Sequence, residues 1–437
     1  MLRRERRDRG SSPVRVLRNP ALRWLLAGHA LSSTGQTLGL AAVSVAVYRT
    51  TGSTAWVAAA ASAQFLPPLL LSGLAGVMAD RTDRMALLAR TSSARAFVVL
   101  ALAAAVAIPL PAPALLALVL AVAALGTPAY PAVVAGVRTL VPPAELVAAT
   151  ASVATVDNAA FVLGPALGGA LLIAGSPVLV LMLNAAVFGA AWSCARTAHR
   201  HAPEVVSRPV DDGNRGLGGR LAEAFHAISR SPRVAAPVVL LVAGNLLYGF
   251  FVVLLVPVTA SLLGTGKAGY GELTLAFGAG TFAALLLTGR LSGRDGSPMV
   301  HVLAVVATGA TFALLAAAPS RPAAFCLMAV SGGASMVTDV LATSWLQRSL
   351  PDRLVGGVFG VIESMLLAAI LLGSWVAPIL VRGAGLRPAV VVVGLGVSLL
   401  SLATAGSLFL RGQRSPIPGS SVLSLAGVAG GQQPEVF

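Results

Sequence analysis

Gly76-Val77-Met78-Ala79-Asp80-Arg81-Thr82-Asp83-Arg84 puts four charges into five residues between two long apolar stretches. The chain around it is 56% hydrophobic and only 11% charged, with a mean hydropathy of +0.84. A knot of charge in so oily a sequence marks a boundary and asks for a reason. Its surroundings supply the class. The apolar residues come in blocks of 18 or more, not at strand or amphipathic-helix period. About 20 residues at 1.5 Å each cross the ~30 Å hydrocarbon layer, and backbone groups in lipid must be satisfied within the segment, which selects helices. A membrane barrel would show alternating segments of ~10 residues, which this sequence lacks.

Twelve spans are expected, at 21–47, 55–78, 86–108, 112–137, 145–173, 177–196, 234–262, 271–289, 299–318, 322–347, 354–381 and 387–410. Pro/Gly-marked breaks divide neighbours, as at Pro109-Leu110-Pro111-Ala112-Pro113, Gly175-Ser176-Pro177 and Pro319-Ser320-Arg321-Pro322. If the count were off by a pair, the short span ending near Arg196 is the place. Of the 31 basic residues, 25 then fall on one side: Arg3 to Arg23, Arg81, Arg84, Arg90, Arg138, Arg196 to Arg233, Arg290, Arg294, Arg348, Arg353, Arg411 and Arg414. Five fall on the other (Arg49, Lys267, Arg321, Arg382, Arg387), and Arg95 lies within a span. This positive-inside bias expects both termini in the cytoplasm, at a plasma or inner membrane. It also accounts for the net charge of +15, so a nucleic-acid partner is not expected.

The basic run Leu2 to Arg9 reads as a topology anchor on anionic lipid ahead of an uncleaved first span. The expected organisation is a disordered basic N-terminus at 1–20, a six-helix bundle at 21–196, a cytoplasmic linker at 197–232, a second six-helix bundle at 233–411 and a disordered tail at 412–437. Leu221 to Ile228 within the linker has helical apolar spacing and is expected to lie along the inner leaflet. A weak repeat supports the halves. Arg138-Thr139-Leu140-Val141-Pro142-Pro143 precedes the fifth span and Arg348-Ser349-Leu350-Pro351 the eleventh, while Gly289 to Arg294 is a degraded copy of Gly76 to Arg81 with Gly293 in the place of Asp80. Duplicated halves related about the membrane normal produce such equivalences.

In the fifth span, Gly164-Pro165-Ala166-Leu167-Gly168-Gly169 combines a small-residue face, which lets a neighbouring helix approach, with a proline that removes a donor and bends the helix. A packing interface alone would explain the glycines but not Pro165.

Two patterns carry a resemblance. The G-x-x-x-D-R-x-x-R run from Gly76 to Arg84 resembles the signature between the second and third helices of major facilitator superfamily transporters, and Gly164 to Gly169 resembles the element typical of their proton-coupled drug antiporters. Asn19 to Trp24, Ser32 to Gly35, Tyr48 to Ser53 and Gln347 to Gly360 are similar to the efflux branch that includes the enterobactin exporter and macrolide efflux permeases, so the likeness spans 19–410. It implies an all-α integral membrane protein of twelve transmembrane helices in two pseudo-symmetric six-helix bundles. It also implies a secondary transporter exporting a small drug or natural product by proton antiport. Asp80, Arg81, Asp83 and Arg84 would then belong to a cytoplasmic gate, with Asp80 meeting the start of the eleventh span near Arg353 to Gly357. Because Gly293 replaces the acid in the second half, that latch would be asymmetric. Two departures stand out: the fourth span has no charge where many relatives carry Arg, and Gln36 stands where relatives often have an acid.

Ionisable groups inside lipid are costly and usually face a cavity or a partner. Asp157, beside Asn158, falls near the middle of the fifth span, Glu363 at a similar depth in the eleventh, and Asp339 two to three turns from the inner end of the tenth. Asp157 and Glu363 are therefore the leading proton-coupling candidates, with Asn158, Asp339 and Gln36 as further coupling or substrate candidates. Gln64, Asn184, Asn245, Tyr248, Thr338 and Ser344 are polar points on an otherwise apolar lining that suits a bulky amphipathic solute. His29 is expected to pack near the membrane boundary, and Arg95 to pair with an acid or snorkel in a structural role. The sequence offers no Walker loop, HExxH or nucleophile cluster, and Cys194 and Cys326 lie near opposite membrane faces. Neither enzymatic activity, a metal nor a cofactor is expected. The expected partners are a small-molecule substrate, protons and the bilayer, with the chain acting as a monomer. An importer of a small metabolite with the same fold is the alternative, and a non-transporting membrane scaffold a more distant one.

Overall fold

Asn19 starts the first helix. Its side-chain oxygen accepts from the backbone N–H of Ala21 and Leu22 at 3.0 and 3.3 Å, and its amide donates to the carbonyl of Leu140 at 2.8 Å. One residue thus caps a helix and ties it to another 121 positions away. The helix ends at Gly52, whose φ of 63° is the left-handed conformation that glycine adopts without a Cβ penalty.

The structure, a computed structural model, describes residues 17–142, 145–202, 232–291, 298–318, 320–349 and 352–412. These form thirteen α-helices and no strand: α1 Pro20–Thr51, α2 Thr54–Arg81, α3 Arg84–Ala107, α4 Ala112–Gly126, α5 Ala129–Leu140, α6 Leu146–Ala174, α7 Pro177–His201, α8 Pro232–Pro257, α9 Gly266–Leu291, α10 Pro298–Leu315, α11 Arg321–Ser349, α12 Asp352–Ala384 and α13 Leu386–Gly412. Eleven stretches are long and apolar enough to cross a membrane, and Met299–Leu315 is a shorter apolar helix. The sixth span, α7, is full length at 25 residues, so the short member is the ninth. The expected disordered ends, the linker helix at 221–228 and the loop copy around Gly293 lie outside the described residues.

The fourth span is divided, which the apolar pattern alone did not show. Thr127 and Pro128 separate α4 from α5 while keeping near-helical dihedrals. Pro128 and Pro131 each lack the N–H that a continuous helix would use there, so the ladder is interrupted without a sharp turn. At the end of α8, Pro257 has the same kind of effect, and the chain passes into a π-helical turn at Val258–Leu262.

The same pairings recur one half apart. In the first group α1 packs on α6 and α7, α3 on α7 and α4, and α2 on α4; in the second, α8 packs on α12 and α13, α10 on α13 and α11, and α9 on α11. Across the groups α6 meets α9 and α2 meets α12. This is the two-bundle, pseudo-two-fold arrangement.

The cores show which end is closed. Away from the Arg-rich end, one core runs without interruption through both groups, from Leu38, Val57 and Phe188 to Leu254, Phe277 and Val390. At the Arg-rich end there are, among the described residues, two separate cores, one around Leu22, Leu88, Val133 and Val153 and the other around Val238, Leu346 and Ile362. The described parts of the groups are therefore joined at the far end and parted at the Arg-rich end. Trp375 Nε1 donates to Ser62 Oγ at 2.7 Å across the far-end junction.

The second group is assembled on glycines whose missing Cβ would strike a facing backbone. Gly249 lies against the Ile370 carbonyl and Gly373 against that of Leu246; Gly280 faces Ala329 and Gly332 faces Phe277; Gly309 and Gly394 face each other. Backbone contact this close excludes any side chain. Gly249→Val is expected to destabilise the detergent-solubilised protein by about 1–3 kcal/mol or more through overpacking, read as a lower unfolding temperature. Gly189→Ala, which meets nothing within 4 Å, should leave that temperature unchanged or raise it slightly.

Candidate functional site

Two polar ladders run along the middle of α1. His29 and Ser33 are four residues apart and so share one face, and Ser32 and Gln36 share another. Each ladder meets an ionisable residue on a neighbouring helix.

The first meets Asp157. His29 Nε2 and Asp157 Oδ1 are 2.7 Å apart, a separation that requires a proton between them, and Ser33 Oγ donates to the same oxygen at 3.4 Å. The His29 side chain is 6% exposed and that of Asp157 35%, so the imidazole is packed away while the carboxylate looks into the space between the groups. Tyr130 of α5 lies 6.2 Å from the imidazole, ring centre to ring centre. It is within electrostatic reach of both Asp157 and Glu363, and these two acids are within reach of each other.

Glu363 is exposed on α12. Asp157 and Glu363 are each the twelfth residue of their helix, α6 and α12, which are counterparts in the two groups. At 1.5 Å per residue both stand roughly 16 Å above the Arg-rich ends of those helices. Asn158 is also exposed, with its side chain on the turn beside Asp157.

Asp339 lies within electrostatic reach of Glu363 but faces a pocket of its own. That pocket lies inside the second group, with Asn245, Tyr248, Thr308, Ser335 and Thr338. Ser344 turns instead to its own helix, donating to the Val340 carbonyl at 2.7 Å.

The second ladder meets Arg95 of α3. Arg95 is 2% exposed. Its Nη1 donates to Ser32 Oγ at 3.0 Å, its guanidinium carbon sits 4.0 Å from the centre of the Phe188 ring, and its Nε has no partner. No carboxylate lies within 4.0 Å of it among the described residues. The expected acid pairing or snorkelling is thus corrected: the side chain is held inside the first group. Gly126 makes room, since a Cβ there would come within 2.9 Å of the guanidinium carbon. The stretch 112–137 carries no charge of its own and accommodates one from the third span.

A cation–π contact contributes about 2 kcal/mol when desolvated, and one hydrogen bond to a charged group about 1.5–3 kcal/mol. Burying an unpaired ion costs several kcal/mol, so these two contacts offset only part of it. Gln36, Gln64, Asn184 and Phe188 line the same pocket. Gln36 therefore belongs with Arg95 and not with the acids.

At the Arg-rich end, Asp83 caps α3, accepting from the Ala86 N–H at 2.7 Å, and lies 3.6 Å from His199 Nδ1 at the end of α7. Arg81 is exposed and Arg84 half-buried. A Cβ on Gly76 would meet no atom within 4 Å, in keeping with an end that is parted. The side chain of Asp80 and those of 353–357 lie outside the described set. The fifth-span glycines have distinct neighbours: Gly164 lies against Thr37, Gly168 against Leu38 and Ala41 of α1, and Gly169 against Gly271 and Leu275 of α9 across the groups.

The sequence model of the Major Facilitator Superfamily matches residues 25–374. The chain belongs to this superfamily. No curated protein sequence matches it at comparable significance. Among solved structures it is similar to the nucleoside transporter NupG, at 14% identity and a TM-score of 0.67 over 88% of this chain and 98% of that one. It is also similar to a bacterial homolog of the human lysosomal transporter Spinster in an inward-facing, unoccupied conformation, at 15% identity and a TM-score of 0.64 over 90% and 97%. The occupied form of that homolog gives 14% and 0.66 over 92% and 98%. At these identities the likeness is one of fold. As a member of the superfamily the chain is a multi-pass membrane transporter.

Two features of the candidate site are not legible in the sequence, the His29–Asp157 pair and the isolation of Arg95. The signal for the first was present as His29 and Ser33 at helical spacing in an apolar block, but its partner lies 128 residues away.

Proposed function

We propose that this transporter exports a small amphipathic drug or natural product in exchange for protons. The observation that carries the reading is the Asp157 carboxylate at mid-span, held by His29 and Ser33 and facing the parted space, with Glu363 at the matching position opposite. A carboxylate in that position can load a proton when the space opens to one side and release it when it opens to the other. The Arg bias supports both termini, and the parted end, being cytoplasmic at the plasma membrane. The described state is then inward-facing, and the Asp80 latch to the start of α12 belongs to the opposite state, in which that end closes. The apolar lining with few aromatic residues favours an amphipathic cargo, and the chain works as a monomer.

The test uses a host lacking its own pumps. Cells producing the wild type should tolerate one or more compounds of a drug panel that cells producing Asp80→Asn do not. Inside-out vesicles with an acidic lumen should take up the same compound, and the uptake should collapse when the pH gradient is dissipated. Uptake driven by the opposite gradient would make the chain an importer of a small metabolite, and no substrate-dependent proton movement would make it a scaffold.

A further inference from the structure

We propose that Arg95 is an anion-binding residue, and that the pocket it shares with Gln36, Gln64, Asn184 and Phe188 receives the carboxylate of an organic acid. The pocket is incomplete as it stands. Arg95 is 2% exposed, has no carboxylate within 4.0 Å among the described residues, and its Nε lacks a partner. A second polar atom in the same pocket, Asn184 Oδ1, is also buried without a partner; as an acceptor it would take a donor group elsewhere on the bound molecule and not the carboxylate.

Phe188 covers one face of the guanidinium, and Gly126 lies close against it, its missing Cβ leaving just enough room: a Cβ there would come within 2.9 Å of the guanidinium carbon and 3.1 Å of Nε. The pocket encloses about 40 Å³ and is partly open to solvent, so a solute larger than a few atoms would have to widen it or enter from its open side. A planar fork of N–H donors matches a carboxylate, which can accept two parallel hydrogen bonds. A single cation matches one negative charge, and a doubly charged phosphate would be left under-neutralised. The acids do not oppose such a ligand directly: Asp157 is paired with His29, and Glu363 and Asp339 belong to the second group.

Ser32, which bonds Arg95, and Ser33, which bonds Asp157, are consecutive in α1. The anion pocket and the proposed proton site are thus attached to two different faces of the same turn of α1. The inference rests on the transporter reading only in assigning that carboxylate to the transported solute. Its test reads binding without transport, so the two can fail separately.

Full-length protein in phosphatidylcholine nanodiscs is unfolded thermally with sodium phenylacetate, with neutral phenylacetamide, or with sodium chloride at matched ionic strength. Phenylacetate alone should raise the unfolding temperature. The shift should vanish in Arg95→Gln and persist in part in Arg95→Lys. Should Arg95→Gln fail to fold, modification of Arg95 by phenylglyoxal, followed by mass spectrometry of the wild type, decides: phenylacetate should slow it several-fold and phenylacetamide should not. A chloride response equal to that of phenylacetate, an equal shift in Arg95→Gln, or no protection from phenylglyoxal would overturn the proposal.

Discussion

Asp157→Asn is expected to abolish transport driven by a pH gradient while leaving folded protein in the membrane. Asparagine has nearly the same shape and its side-chain oxygen can still accept from His29 and Ser33, the two groups that hold the carboxylate now. What it loses is the capacity to gain and release a proton. With no proton exchanged, accumulation should fall to the level reached by downhill equilibration. Glu363→Gln, at the matching position of α12, makes the same test of the second group. In proteoliposomes containing a pH-sensitive dye, substrate-dependent proton movement should disappear in at least one of the two, while downhill exchange of substrate in the absence of a gradient persists. Full gradient-driven transport in both single variants would remove the acids from the mechanism.

The second large effect is expected at Gly169, and Gly168 beside it is the control. A Cβ on Gly169 would run into the backbone of α9 at Gly271 and Leu275, and backbone cannot rotate aside. A Cβ on Gly168 would meet the Leu38 carbonyl at 3.3 Å and Ala41 Cβ at 3.4 Å, which a shift of a few tenths of an ångström relieves. Gly169→Ala should therefore push α6 and α9 apart at the far end and disfavour the described conformation, at about 1–3 kcal/mol or more. Gly168→Ala should be nearly silent. The readout lies on the other junction: cysteines placed at Ser62 and Trp375, whose side chains are bonded at 2.7 Å, should be cross-linked by a short reagent several-fold more slowly with Gly169→Ala than with Gly168→Ala. Equal rates in the two would mean that Gly169 does not hold the far end together.

Much of this architecture was legible because membranes make sequences simple. The twelve apolar blocks and the Arg asymmetry follow from lipid thickness and charge, both of them local properties. The matching depth of Asp157 and Glu363 could be counted along their spans. What could not be read depends on contacts between helices far apart in the chain. Arg95 reads in the sequence as an acid's partner or a snorkelling residue because its actual neighbours, Ser32, Gly126 and Phe188, come from three other helices. The glycines of the second group are scattered singly through α8 to α13, and nothing in the sequence says which of them face a backbone. His29 was misread for a related reason: an isolated histidine in an apolar block resembles a boundary residue until the helix carrying its acid is laid beside it.

The continuity of the far-end core carries a consequence for the opposite conformation. Whatever opens that end has to divide one apolar mass into two, and the division must follow the lines where α6 meets α9, α2 meets α12, and α8 meets α1 and α2. Between α6 and α9 the surfaces touch through glycine and carbonyl at Gly169 and Gly271, with Ile173 of α6 packed against Gly271. Such a boundary behaves like the parting line of a mould. Where backbone meets backbone no rotamer has to withdraw, and the cost of opening is chiefly the apolar area exposed to water.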